Sequence, residues 1–193
     1  LKIYFKNKDN LSSGSTQKDS SMGVDGTNKN FNEFLNLARE QIKNNDNTNA
    51  INNLKKALKL SPNKQGIINC YFGLGIAKQK IKDFSGSIAA FTSAIEMDEN
   101  DPTYTYLCRA NTKYESEDFL GAISDYDIVL EKNPTEYSIA FYNRANAKLA
   151  INDSEGAFKD MNKSADLGNE SAKAVLKRIN FISNKKKNNL IDE

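Results

Sequence analysis

From Phe31 onward, apolar residues recur at helical rather than strand spacing. Phe34, Leu37, Ala38 and Ile42 share one face, and Ile51, Leu54, Ala57 and Leu58 share the next. Between the two stripes lies Asn44-Asn45-Asp46-Asn47, a run that favours a turn. The pattern predicts three further helix pairs, with turns near Lys82-Asp83, Glu117-Asp118 and Asn152-Asp153. In each, an Asp stands directly before the second helix, where its carboxylate can accept from unsatisfied N–H groups of the first turn. Pro62, Pro102 and Pro134 fall at or just beyond the ends of second helices, where proline stops a helix without breaking one. After Leu167-Gly168-Asn169, a stripe of Ala174, Val175, Ile179 and Ile182 predicts one final helix.

A repeat underlies these stripes. A small residue is followed twelve positions later by another small one, and four later by a large apolar one. The sets are Ala38–Ala50–Leu54, Gly75–Ser87–Phe91, Ala110–Ala122–Tyr126 and Ala145–Ala157–Met161, with starts 37, 35 and 35 residues apart. Ala57, Ala94, Val129 and Ser164 follow three residues further on. Two helices cross closely only where small side chains meet, so each small pair marks a crossing inside one unit.

This period, with small residues at both crossing points, resembles the tetratricopeptide repeat. Phe34, Tyr71, Tyr106 and Phe141 stand at the family's first aromatic position, and the segment Ala140 to Lys148 is similar to the family's first helix. The resemblance implies an all-α, right-handed superhelical solenoid of four helix-turn-helix units, 31–64, 68–101, 103–136 and 138–169. A capping helix over 170–183 and a flexible tail over 184–193 follow. Residues 1–30, polar and without apolar period after the first few, are expected to be disordered. Gln41, Lys78, Lys113 and Lys148 depart from the family's second aromatic position, which implies thinner packing there. Unit one is the most degenerate and is expected to fray first.

In this family the first helices line a concave groove that takes a peptide or a partner's helix. Carried over, the partner-binding positions are Arg39, Asn69, Phe72, Ile76, Tyr104, Asn111, Tyr114, Tyr142 and Asn146. Asn32, Leu35, Ile42, Gln79, Leu107, Ile139 and Leu149 hold the remaining groove positions. A carboxamide can donate to and accept from a peptide backbone, and tyrosines supply rigid area with a polar tip. The Lys and Asn clamp with which some members hold acidic chaperone tails is not matched.

One joint difference between units stands out. Units three and four carry Arg109 and Arg144 where the others have Leu37 and Leu74. Sixteen residues on, they carry Asp125 and Asp160 where the others have Asn53 and Ala90. The joint swap predicts a partly buried ion pair between the two helices of each unit, acting as a register device.

Composition narrows the function classes. The 193 residues contain no His, which removes the commonest general base and zinc ligand, and no catalytic, cofactor or metal constellation is predicted. A net charge of +2 points to neither nucleic acid nor an acidic partner. No apolar run approaches the ~18 residues of a membrane span. Cys70 and Cys108 lie on different predicted helices, read as free thiols suited to a reducing compartment, hence a cytoplasmic expectation. Leu at position 1 is compatible with a removed signal peptide. Gly73-Leu-Gly75 reads as tight helix packing rather than a phosphate cradle. The expected function is a non-catalytic module that binds a protein or peptide. The alternatives are a self-associating scaffold and the non-catalytic part of a longer enzyme.

Overall fold

The computed structural model describes residues 24–61, 63–135 and 137–189. All regular elements among them are helices: α1 (Val24–Lys43), α2 (Asn47–Leu60), α3 (Lys64–Lys80), α4 (Phe84–Met97), α5 (Thr103–Glu115), α6 (Phe119–Lys132), α7 (Ser138–Ala150), α8 (Ser154–Asp166) and α9 (Glu170–Asn189). They pack as four pairs in chain order, and α9 lies on α8. Successive first helices, α1, α3, α5 and α7, touch one another, whereas across units each second helix meets the next unit's first helix. The first helices are thus the more closely spaced layer, and their shared face is the inner one. No helix among the described residues is long and apolar enough to cross a membrane.

The crossings fall where the small residues stand. Ala38, Ala50, Gly75, Ser87, Ala110, Ala122, Ala145 and Ala157 are all buried. Gly75 is obligatory on steric grounds: a Cβ there would sit 2.5 to 2.7 Å from the Phe91 ring. Opposite it, the Ser87 hydroxyl donates to the Gly75 carbonyl at 2.8 Å, so this buried polar group is satisfied.

Every turn inside a unit closes its first helix alike, and units two to four also start the second helix alike. In unit two, Lys82 takes φ +62°, its N–H donates to the Gln79 carbonyl, and the Asp83 N–H donates to the Lys78 carbonyl. These two bonds close the end of α3 as a Schellman motif. Asp83 then caps α4, its carboxylate accepting from the Gly86 N–H at 3.0 Å. One residue therefore ends a helix with its amide and starts the next with its side chain. The Lys78 ammonium and the Gly86 amide hold the Asp83 carboxyl below its ordinary range. Asp118 and Asp153 repeat the cap on Gly121 and Gly156. Glu117 and Asn152 repeat the positive φ. A Cβ at any of these three glycines would collide with the capping carboxylate. Unit one has Asn49 instead of the glycine. There Asp46 accepts from the Asn49 side chain at 2.9 Å and makes no side-chain cap to the backbone. Gly168 and Asn169 use the same turn to join α8 to α9, with Asn169 accepting from the Ala172 N–H.

Both ion pairs form, and both are bidentate. Arg109 meets Asp125 through Nε and Nη2 at 2.8 Å each, and Arg144 meets Asp160 at 2.8 and 2.6 Å. The lysines at the second aromatic position do more than thin the packing. Lys113 Nζ lies 2.9 Å from Asp125, and Lys148 Nζ lies 2.8 Å from Asp160. In unit one the same two positions are a neutral pair, with Gln41 accepting from Asn53 at 2.9 Å. Unit two has Ala90 and no carboxylate there, so Lys78 turns to Asp83 at 2.9 Å.

Packing departs from the sequence reading in three places. α1 begins at Val24, before the apolar stripe starts, because extending a formed helix costs far less than nucleating one. The rest of the expected disordered segment, residues 1–23, lies outside the described residues. At the other end, α9 continues to Asn189, into the expected tail, whose residues 190–193 lie outside the described residues. Unit one is also well anchored. Phe31, Leu35, Ala38 and Ile42 join Phe72, Phe91 and Cys108 in the largest apolar cluster, while the fourth unit keeps a small one around Ala145, Ala157, Met161 and Ala172. Apolar burial is concentrated in units one and two, and buried ion pairs in units three and four.

Candidate functional site

On the inner face, α3, α5, α6 and α7 enclose a cleft of about 360 Å³ lined by Gln79, Asn111, Tyr114, Glu115, Tyr126, Asn143 and Asn146. Its centre is a carboxamide held from two sides. Asn111 Oδ1 accepts from the Tyr126 hydroxyl at 2.6 Å and from Asn143 Nδ2 at 2.9 Å. Those bonds join the two helices of unit three and tie them to unit four. With its oxygen doubly engaged, Asn111 has its amide hydrogens left to offer. Asn146 stands at the same place one unit on, but Met161 replaces the tyrosine, and its carboxamide has no hydrogen-bond partner among the described residues. Gln79 Nε2 donates to Glu115 Oε1 at 3.0 Å across units two and three. The Tyr114 ring is 36% exposed and meets Phe119 edge-on, with centroids 5.5 Å apart. Burial raises the Tyr126 phenol well above its ordinary range, so it stays a neutral donor.

The other groove positions lie elsewhere. Phe72 has no exposed surface and stacks at a tilt between Phe91 and Tyr104, with centroids 5.7 and 5.9 Å away. Ile76 is 7% exposed. Both are core residues, and neither can be presented to a partner, because the N-terminal units pack their inner positions into the largest apolar cluster. Tyr104 is half-buried on that cluster, and Tyr142 half-buried on the last one. Asn69 accepts from Gln65 at 3.1 Å, and Arg39 reaches Asn36 at 3.3 Å, both away from the cleft.

Tyr126, Asn143 and Glu115 are cleft residues that the groove positions do not include. Tyr126 carries its own signal. It stands where other units have Leu54, Phe91 and Met161, and a hydroxyl at a core position needs a partner nearby. Asn143 carries a weaker signal, since Cys108 and Gly73 hold the equivalent places in units three and two and Asn36 alone matches it, in unit one. Both cysteines are free and buried, and burial pushes each thiol up to about 12.

Residues 34–64 match the family model described as tetratricopeptide repeat, which is the unit that reads as most degenerate. No curated protein matches the sequence. Among solved structures, MamA (41-end) from Desulfovibrio magneticus RS-1 is similar with a TM-score of 0.63 at 15% identity, over 72% of this chain and 76% of that one. A tetratricopeptide repeat protein from Parabacteroides merdae ATCC 43184 is similar with a TM-score of 0.66 at 20% identity, over 74% of this chain and 55% of that one. The first TPR of Spaghetti (RPAP3), bound to the HSP90 peptide SRMEEVD, gives a TM-score of 0.53 at 22% identity, over 60% of this chain and 91% of that one. The chain therefore carries a tetratricopeptide repeat at residues 34–64, and its helix pairs are folded as a tetratricopeptide-repeat solenoid.

Proposed function

We propose that this chain is a non-catalytic interaction module that holds an extended peptide or a helix of a partner protein on its inner face, as an adaptor or assembly factor does. The observation that carries the reading is the cleft over units two to four, where the Asn111 amide and the whole Asn146 carboxamide stand ready beside an exposed tyrosine. Polar groups that converge in a concavity without partners of their own are what a peptide backbone needs. The solved Spaghetti repeat, which holds a peptide, supports the reading by analogy of fold. Free, buried thiols suit a reducing compartment, and we place the module in the cytoplasm.

Affinity capture with the wild type beside an Asn111→Ala/Tyr114→Ala/Asn146→Ala variant tests this. Partners lost by the variant, at unchanged helix content, support the cleft. Partners retained equally by both overturn it.

A second reading is self-association, favoured by one observation. Ile179, Phe181 and Ile182 on α9 are 42%, 69% and 47% exposed, an apolar stripe at the end of the array. Light scattering that finds a monomer at all concentrations overturns it.

A further inference from the structure

The cleft has an electrostatic character that follows from where the ion pairs stand. α5 and α7, which carry Asn111 and Asn146, also carry Arg109, Lys113, Arg144 and Lys148. All four cations are drawn into the seams between first and second helices by Asp125 and Asp160. None of them lines the cleft. The one formally charged lining residue is Glu115. Its Oε1 is held by Gln79, and no cation among the described residues pairs with it. A carboxylate held by a neutral donor has no cation against it and one oxygen to offer. Beside it, the doubly engaged oxygen of Asn111 leaves that carboxamide as a donor only.

We propose that the cleft selects a peptide segment bearing a Lys or Arg side chain, with the cation on Glu115 and a neighbouring backbone carbonyl on Asn111 Nδ2. This rests on the cleft being the binding site, and adds which chemistry it accepts. The exposed Tyr114 ring offers a surface for the aliphatic stem or the guanidinium of that side chain. The same arrangement disfavours acidic segments. The peptide held by the Spaghetti repeat, SRMEEVD, has one Arg but ends in a stretch with three acidic residues, Glu-Glu-Val-Asp. Against this cleft such a segment would face Glu115 with no lining cation to receive it.

The probes are three blocked tripeptides, acetyl-Gly-Arg-Gly-amide and its Glu and Gln counterparts, titrated into the ¹⁵N-labelled full chain. The carboxamide signals of Asn111, Asn143 and Asn146 are the readout. The arginine peptide is expected to shift them saturably at low salt and to bind about three- to fivefold more tightly than the glutamine peptide, the upper part of the range of one solvent-exposed ion pair. Added salt should remove that difference. Glu115→Gln is expected to bring the arginine peptide down to the glutamine level, with amide signals outside the cleft unchanged. If the glutamate peptide binds as well as the arginine peptide, or if Glu115→Gln leaves the preference intact, the charge selectivity is overturned while the cleft stands. If none of the three shifts the cleft carboxamides, the binding site itself is overturned along with the selectivity.

Discussion

Arg144 and Asp127 face each other across the seam between units three and four, with Nη1 and Oδ1 2.6 Å apart. Arg144 makes this contact while its other two nitrogens hold Asp160 in its own unit. Arg109 does the same one unit earlier, but its Nη1 meets the Thr92 hydroxyl at 2.9 Å, a neutral acceptor. The two arginines therefore differ in how much negative charge surrounds them.

That difference sets a ranking. Asp125→Asn leaves Arg109 and Lys113 with no carboxylate in contact, and it is expected to cost about 3 kcal/mol, as when one partner of a buried pair is removed. Asp160→Asn leaves Asp127 beside Arg144, and about half that loss is expected. Urea unfolding of both variants checks the order, and equal losses would refute it. A double-mutant cycle on Arg109 and Asp125 should show coupling above about 1 kcal/mol.

Phe72→Ala separates core from groove. A phenylalanine with no exposed surface leaves a cavity when truncated, and a loss of about 3–5 kcal/mol is expected. Chemical denaturation measures it. A variant of near wild-type stability would mean that Phe72 packs less than its burial indicates.

The turns give two opposite effects. Gly121→Ala places a methyl against the Asp118 carboxylate and breaks the cap, at an expected cost of about 1 kcal/mol. Glu117→Gly relieves a φ of +65° that only glycine adopts freely, and a gain of about 0.5–1 kcal/mol is expected. Thermal melts of the two should move in opposite directions.

The thiols predict alkaline behaviour. In the unfolded chain Cys70 and Cys108 ionise near 9.0, and in the folded chain near about 12. Within that window the folded state binds more protons, so stability falls as pH rises, by at most about 1.4 kcal/mol per pH unit for each thiol. Below the unfolded value their contribution is fully present. Denaturation midpoints across the window should decline less steeply in a Cys70→Ala/Cys108→Ala variant. Alkylation of the native wild type at neutral pH should proceed only as fast as the chain opens.

Much of the fold can be read from residue spacing, because its causes are local. Small residues fix the crossings, and an Asp three places before a glycine fixes the cap. The Arg109–Asp125 and Arg144–Asp160 pairs are legible for a related reason, since both members change together between units. The cleft is less legible. Whether an inner-face residue such as Phe72 or Asn111 is core or lining depends on how neighbouring units close over it. No single unit's sequence holds that information. The lysines at positions 113 and 148 show the same limit: a missing aromatic predicts lost packing, and only the three-dimensional neighbourhood reveals the second cation on each aspartate.

Each arginine sits 35 residues from its counterpart and carries two bonds inward to its own unit and one backward to the unit before. A copy of unit four appended after Asp166 would thus bring its own latch and would find Asn162, the counterpart of Asp127 and Thr92, already in place to receive it. In the natural chain that slot faces α9, whose seventh residue, at the place Arg109 and Arg144 hold in α5 and α7, is Leu176 and offers nothing to bind. The ladder can be lengthened one rung at a time, and it stops where a single hydrocarbon side chain replaces the latch.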